Sequence, residues 1–188
     1  MTTRLNTAVK FTALFAFAMG TAHADHHMLP DAVKVPDGNE VALKTKAMGH
    51  ITYECQEKKD AAGQFAWTFK IPHAHLYDSE NTQIGRYYGA PKGATWEAND
   101  GSKVIGKQLA VTPNPDTPGS IPLQLVQQNG YEGSGAMSKV SYIQRLNTVG
   151  GVAPKSTCDK QNKGKKEVVA YSADYLMWSG KQSVSTYP

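Results

Sequence analysis

Ala94 to Lys107, ATWEANDGSKVIGK, reads as a β-hairpin and sets the fold class. Thr95 and Trp96 favour an extended chain on one side of it, and Val104 and Ile105 on the other. Between them, Asp100-Gly101 supplies the positive-φ residues that a tight hairpin turn needs. The same stretch gathers Trp96, Glu97, Asn99 and Asp100 beside one turn, the densest group of recognition-type side chains in the chain. Neighbouring strand residues point to opposite faces, so Trp96 and Glu97 must separate. Trp96 has the larger apolar area and is expected in the core, leaving Glu97 toward solvent or a pocket rim.

Outward from the hairpin, alternation continues in both directions. Upstream, Phe65, Trp67, Phe69 and Ile71 make the clearest period of two and are expected to share one buried face, with Pro72 ending that strand. Val41, Leu43 and Thr45 alternate before a Met48-Gly49 break, and Ile51, Tyr53 and Cys55 after it. His75 to Tyr77 and Ile84 to Tyr88 form two short strands around a turn at Asp78 to Asn81. Downstream, Pro113 to Gly119 must be a loop, Ile121, Leu123 and Leu125 alternate, and Val140, Tyr142 and Leu146 give another apolar face. Val169, Tyr171, Ala173, Tyr175 and Met177 make the last one. No stretch longer than about ten residues carries a helical period. The expectation is an all-β single domain, an antiparallel sandwich or barrel of about 8–10 short strands.

The N-terminal 24 residues have a basic start (Arg4, Lys10), a short apolar run (Phe11 to Gly20) and Ala22-His23-Ala24 as a cleavage site. They read as a Sec-type secretory signal peptide, so the protein is expected in the periplasm or outside the cell. Residues 25–38 form an extended lead-in, and 39–188 the domain. No later apolar run is long enough for a membrane helix. Twenty basic residues less Arg4 and Lys10 leave 18 against 16 acidic ones, too even a balance to point to nucleic acid. Cys55 and Cys158 are the only two cysteines, and in an oxidising compartment they are expected to form a disulfide. Closing a loop of about 100 residues is worth at most about 4.7 kcal/mol by chain-entropy reasoning.

Three groups of residues suggest chemistry. Trp96, Glu97, Asn99 and Asp100 suit a sugar or another polar ligand, the indole giving a flat apolar face and the carboxylates accepting hydroxyl hydrogens. The plain alternative is a core indole and a turn. Cleavage after Ala24 would expose Asp25-His26-His27, whose free amine, backbone nitrogens and His27 imidazole can wrap Cu²⁺ in a square plane. His73 and His75 share a strand face and could bind a metal with a third ligand from elsewhere. Arg145 and Asp174 are expected to face solvent, opposite the apolar faces. There is no nucleophile elbow, HExxH or CxxC.

Five segments carry a family resemblance: LPDAVKVPDGN at 29–39, the aromatic strand through LYD at 65–78, TWEANDGSKVIGK at 95–107, SYIQRLNTVGGVAP at 141–154 followed by Cys158, and YSADYLMW at 171–178. They are similar to secreted bacterial and fungal proteins filed as domain of unknown function 3455. The resemblance implies an exported β-rich domain and no established activity, cofactor or substrate. Similar sequences often have a histidine where Tyr87 stands. Some relatives carry a dehydrogenase label, but GYEGSG at 130–135 has its glycines in the wrong order for a dinucleotide loop and precedes a strand pattern. Two classes of function follow. One is a binding module for a small polar molecule or a cell-envelope glycan. The other is a hydrolase or copper-dependent enzyme built on loop-end carboxylates and histidines. Convergence of Glu97, Asp100, His73 and His75 in one pocket would favour the second.

Overall fold

Alternating runs of the sequence become eight strands, each antiparallel to the next and the last paired back to the first. The computed structural model describes residues 28–181, so residues 1–24, expected to be a signal peptide, and the Asp25-His26-His27 motif lie outside it. The strands are β1 Asn39–Glu57, β2 Phe65–Tyr77, β3 Gln83–Ala90, β4 Gly93–Ala98, β5 Lys103–Thr112, β6 Leu123–Glu132, β7 Tyr142–Gly150 and β8 Lys166–Gly180. The result is a closed up-and-down barrel, so no sheet edge remains. Of the two architectures the sequence allows, the barrel is the one formed. The hairpin lies where expected, as β4 and β5, with Gly101 at φ 84° in its turn.

Two apparent strand breaks are not breaks. β1 runs unbroken through Met48-Gly49, because Gly49 is where β2 comes closest; a Cβ there would lie 2.1 Å from the His73 carbonyl oxygen. β2 likewise runs through Pro72. Its pairing with β3 begins only at His73, so Pro72 sits where β2 has no partner on that side and a missing N–H is tolerated.

The expected shared face of Phe65, Trp67, Phe69 and Ile71 does not exist. The β1–β2 register slips between Thr52 and Tyr53: Thr52 pairs with Ile71 but Tyr53 with Phe69, leaving Lys70 as an extra residue. Such a bulge reverses the sense of alternation along β2. Trp67 and Phe69 lie beside the inward-facing Cys55 and Tyr53, whereas Ile71 lies beside Thr52 on the outer surface, and the inner face resumes at Pro72, Ala74 and Leu76. Phe69 points inward yet is 52 % exposed, because the barrel is open there.

The two ends of the barrel differ. At the end carrying the hairpin tip, Leu76, Trp96, Val104, Ile143, Tyr175 and Met177 fill the interior without exposure. Met137, from the loop between β6 and β7, joins them as a plug. Asp100 fastens that loop by accepting from the Ala136 N–H at 2.8 Å and from the Ser102 hydroxyl, whose oxygen accepts from the Met137 N–H at 3.0 Å. At the other end the Cys55–Cys158 disulfide, with Cα atoms 5.5 Å apart, ties the long β7–β8 connection to β1. Tyr53 Oη donates to the Gly151 carbonyl at 2.7 Å, and Trp67 Nε1 to that of Ser156 at 2.9 Å.

Outside the barrel, the lead-in covers β6 and β7. Leu29, Val33 and Val35 pack on Leu123, Leu125, Tyr142 and Leu146, and Gln144 Nε2 donates to the Val33 carbonyl at 2.6 Å. These strands are therefore buried on both faces, and their apolar residues do not mark the inside.

Candidate binding cavity

β3 and β4 meet in a tight turn, with Ala90 paired to Gly93, well below the rim set by their neighbours. Phe65 to Pro72 of β2 lack partners on β3, and Lys107 to Thr112 of β5 lack partners on β4. The wall is notched there. Above the plugged half this leaves an open cavity of about 500 Å³, a size that suits a small ligand. Exposed Phe69 and Ile71 on β2, and Leu109 and Val111 on β5, flank the notch.

The walls are mainly apolar and aromatic: Ile51, Tyr53, Phe69, Tyr87, Ile121, Val126 and Tyr171. Tyr87 stacks on Trp96 at 4.6 Å between centroids and meets Tyr175 at 5.2 Å; Trp96 and Tyr175, fully buried, continue the packing beneath it. Gln108 and Gln124 line the wall as well, bonded to each other at 2.6 Å.

Arg145 is the single charged side chain in the lining. It shares a strand face with Ile143, which has no exposure, and sits between Gln124 of β6 and Tyr175 of β7's other neighbour, β8. Its Nε and Nη2 donate to the Pro122 carbonyl at 3.2 and 3.0 Å. Among the described residues no carboxylate lies within 4 Å of it. Burial pushes the phenols of Tyr53, Tyr87, Tyr171 and Tyr175 up, and the Arg145 guanidinium opposes the rise in each. The cation is thus a common neighbour of four tyrosines. The hydroxyls of Tyr171 and Tyr175 are closed off beside each other, that of Tyr175 also beside Arg145, in contacts that fall outside ordinary hydrogen-bond geometry.

Arg145 corrects the sequence reading, which sends it to solvent. On β7, Tyr142 and Leu146 are apolar because the lead-in covers them, so the apolar face is the outer one. One signal was present in the sequence: Arg145 stands two residues after Ile143, on the face of an equally apolar side chain.

The hairpin residues lie away from this cavity; Glu97 and Asn99 instead line a separate surface pocket with Arg86 and Gly101. Trp96 is core and Glu97 faces outward, as alternation requires. Trp96 has no exposed ring to offer a sugar. Glu97 is engaged rather than free: Arg86 donates to both of its oxygens at 3.0 Å, and Tyr88 Oη donates at 2.7 Å. Burial alone would raise its carboxyl, but these hydrogen bonds and the Arg86 charge hold it below its ordinary value. Asn99 Nδ2 donates to the Gln83 carbonyl at 2.8 Å, and Asp100 holds the plug loop. All four are committed to structure.

His73 and His75 share the outer face of β2, and β1 adds His50 directly opposite His73. The His50 and His73 rings stack at 5.6 Å, and His73 and His75 meet edge-on at 5.6 Å. Burial first, then the neighbouring charges of His50, His75 and Arg86, hold the His73 imidazole below its ordinary value. The rings lie side by side, and no group of three metal donors converges among the described residues. Glu97, Asp100, His73 and His75 are thus scattered, none of them lining the cavity.

Fold and cavity together define an eight-stranded antiparallel barrel, plugged at one end and open at the other around a solitary arginine. The chain belongs to the family described as a protein of unknown function, DUF3455, whose model matches residues 36–179. No curated protein and no solved structure matches it. Among the described residues no helix is long and apolar enough to cross a membrane.

Proposed function

We propose that this protein is a binding barrel that holds one small, largely apolar molecule in its open end. The carrying observation is the cavity of about 500 Å³, walled by aromatic and aliphatic side chains and reached through a notch with an apolar rim. Eight-stranded barrels have an interior just wide enough to be filled by side chains or to hold one small ligand. Here one half is filled and the other is not.

The binding-module reading of the sequence is kept, with its site moved from the hairpin to the barrel interior. A glycan loses its platform because Trp96 is enclosed. Catalysis by the carboxylates and histidines loses support because they do not meet. Residence in the periplasm or outside the cell belongs to the same proposal, resting on the N-terminal segment and suited by the disulfide. Copper at Asp25-His26-His27 stays a proposal about residues outside those described.

The test is binding of a neutral, environment-sensitive dye, N-phenyl-1-naphthylamine. We expect saturable enhancement of its fluorescence. Ala94→Phe fills the cavity and Val111→Trp blocks the notch; each should weaken binding at least about tenfold with Tm unchanged, since one aromatic ring displaces most of a small ligand's apolar contact. Absence of saturable binding, or binding untouched in both variants, would overturn the proposal.

A further inference from the structure

A lone cation in an apolar cavity calls for an anion. Holding a charge away from water is unfavourable unless it is paired, and Arg145 has no carboxylate beside it among the described residues. One edge of the guanidinium is spent on the Pro122 carbonyl, through Nε and Nη2. Arg has five N–H donors in all, so even with the Tyr175 hydroxyl as a further neighbour donors remain for a ligand. Tyr171 adds its ring to the wall of the same cavity, while its hydroxyl is closed off beside that of Tyr175.

Resting on the binding-barrel reading, we propose that the occupant is an apolar monocarboxylate, its carboxylate held by the Arg145 guanidinium and its body lying among Ile51, Phe69, Tyr87 and Val126. The charge count sets the head group. Arg145 is the one charged lining residue, so a single negative charge is neutralised and a second, as on a phosphate monoester, would be left over in apolar surroundings. Uncharged polar ligands such as sugars would leave the guanidinium unpaired. The exposed Phe69 and Val111 at the notch give the apolar body a way in, with the carboxylate drawn to the only positive charge inside.

The experiment is competition against bound N-phenyl-1-naphthylamine at neutral pH by decanoate, 1-decanol and methyl decanoate. In the wild-type protein we expect decanoate to compete roughly tenfold or more better than either neutral analogue, the scale of a charge-assisted hydrogen-bonded pair. Arg145→Gln should bring decanoate level with decanol while the neutral dye still binds. Equal competition by all three compounds in the wild type would overturn the monocarboxylate and leave the binding barrel standing, and needs no variant to fold. A preference for decanoate that survives in Arg145→Gln would overturn the role of that residue. Decyl phosphate binding more tightly than decanoate would overturn the single-charge argument. No dye binding at all would defeat the underlying reading instead.

Discussion

Tyr53 and Phe69 face each other across the β1–β2 ladder, their rings edge-on at 6.1 Å, just below the extra residue that turns Ile71 to the outside. Phe69 is thereby a cavity wall rather than a core residue. Phe69→Ala should lower stability by only about 1 kcal/mol, well short of the roughly 3–5 kcal/mol of an enclosed phenylalanine, and weaken dye binding clearly. Urea unfolding beside dye titration checks both; a loss above about 3 kcal/mol would mean the mouth is closed in solution.

Trp96 should behave in the opposite way. It has no exposure, stacks on Tyr87, and meets Tyr175 edge-on at 5.5 Å. Trp96→Ala should cost about 3–5 kcal/mol, through lost transfer energy and the cavity left behind. Denaturant midpoints measure it, and a near-neutral result would contradict the packing.

Glu97 faces outward, yet its pairing with Arg86 and Tyr88 makes its replacement costly. Glu97→Gln should cost about 1 kcal/mol at neutral pH, allowing for the exposure of Arg86. The folded carboxyl titrates below its ordinary value of 4.5. Its contribution is therefore present above that value and lost as pH falls through the depressed one. The gap in stability between wild type and Glu97→Gln should narrow on acidification below about pH 4.5, as read by denaturant melts across pH 3–7.

The buried phenols should titrate late. Burial raises Tyr87, Tyr171 and Tyr175 well above the ordinary value of 10. With the folded value raised, their contribution is complete below pH 10 and lost as pH climbs past it. Spectrophotometric titration should show these three of the nine tyrosines ionising only as the protein unfolds, and full ionisation near pH 10 with structure intact would refute their burial.

Reducing the disulfide should loosen one end of the barrel selectively. Cys55–Cys158 closes a sequence separation of 103 residues and anchors the β7–β8 connection beside the cavity. Reduction should cost about 2–5 kcal/mol. Hydrogen exchange should rise first around residues 151–165 rather than at the Met137 plug. Two free thiols in the protein purified without reductant would contradict the bond.

Much of the architecture is local and therefore legible without the fold. Asp100-Gly101 dictates a hairpin turn through backbone sterics, and Trp96 and Glu97 separate because strand residues alternate. Two cysteines behind an expected export signal point to one bond. What alternation cannot settle is which face is inside, and that is where the site lay hidden. On β7 the lead-in covers the outer face, so Tyr142 and Leu146 are apolar for one reason and Ile143 for another, and Arg145 turns inward with only Ile143 to signal it. On β2 one extra residue, Lys70, reverses the pattern between Phe69 and Ile71; only the register against β1 reveals it. Gly49 and Pro72 look like breaks until the neighbouring strand, near in one case and missing in the other, explains them. Tertiary structure alone decides these points, because a side chain's environment depends on which strand lies beside it, and barrel closure brings together residues as distant in sequence as Ile51 and Arg145.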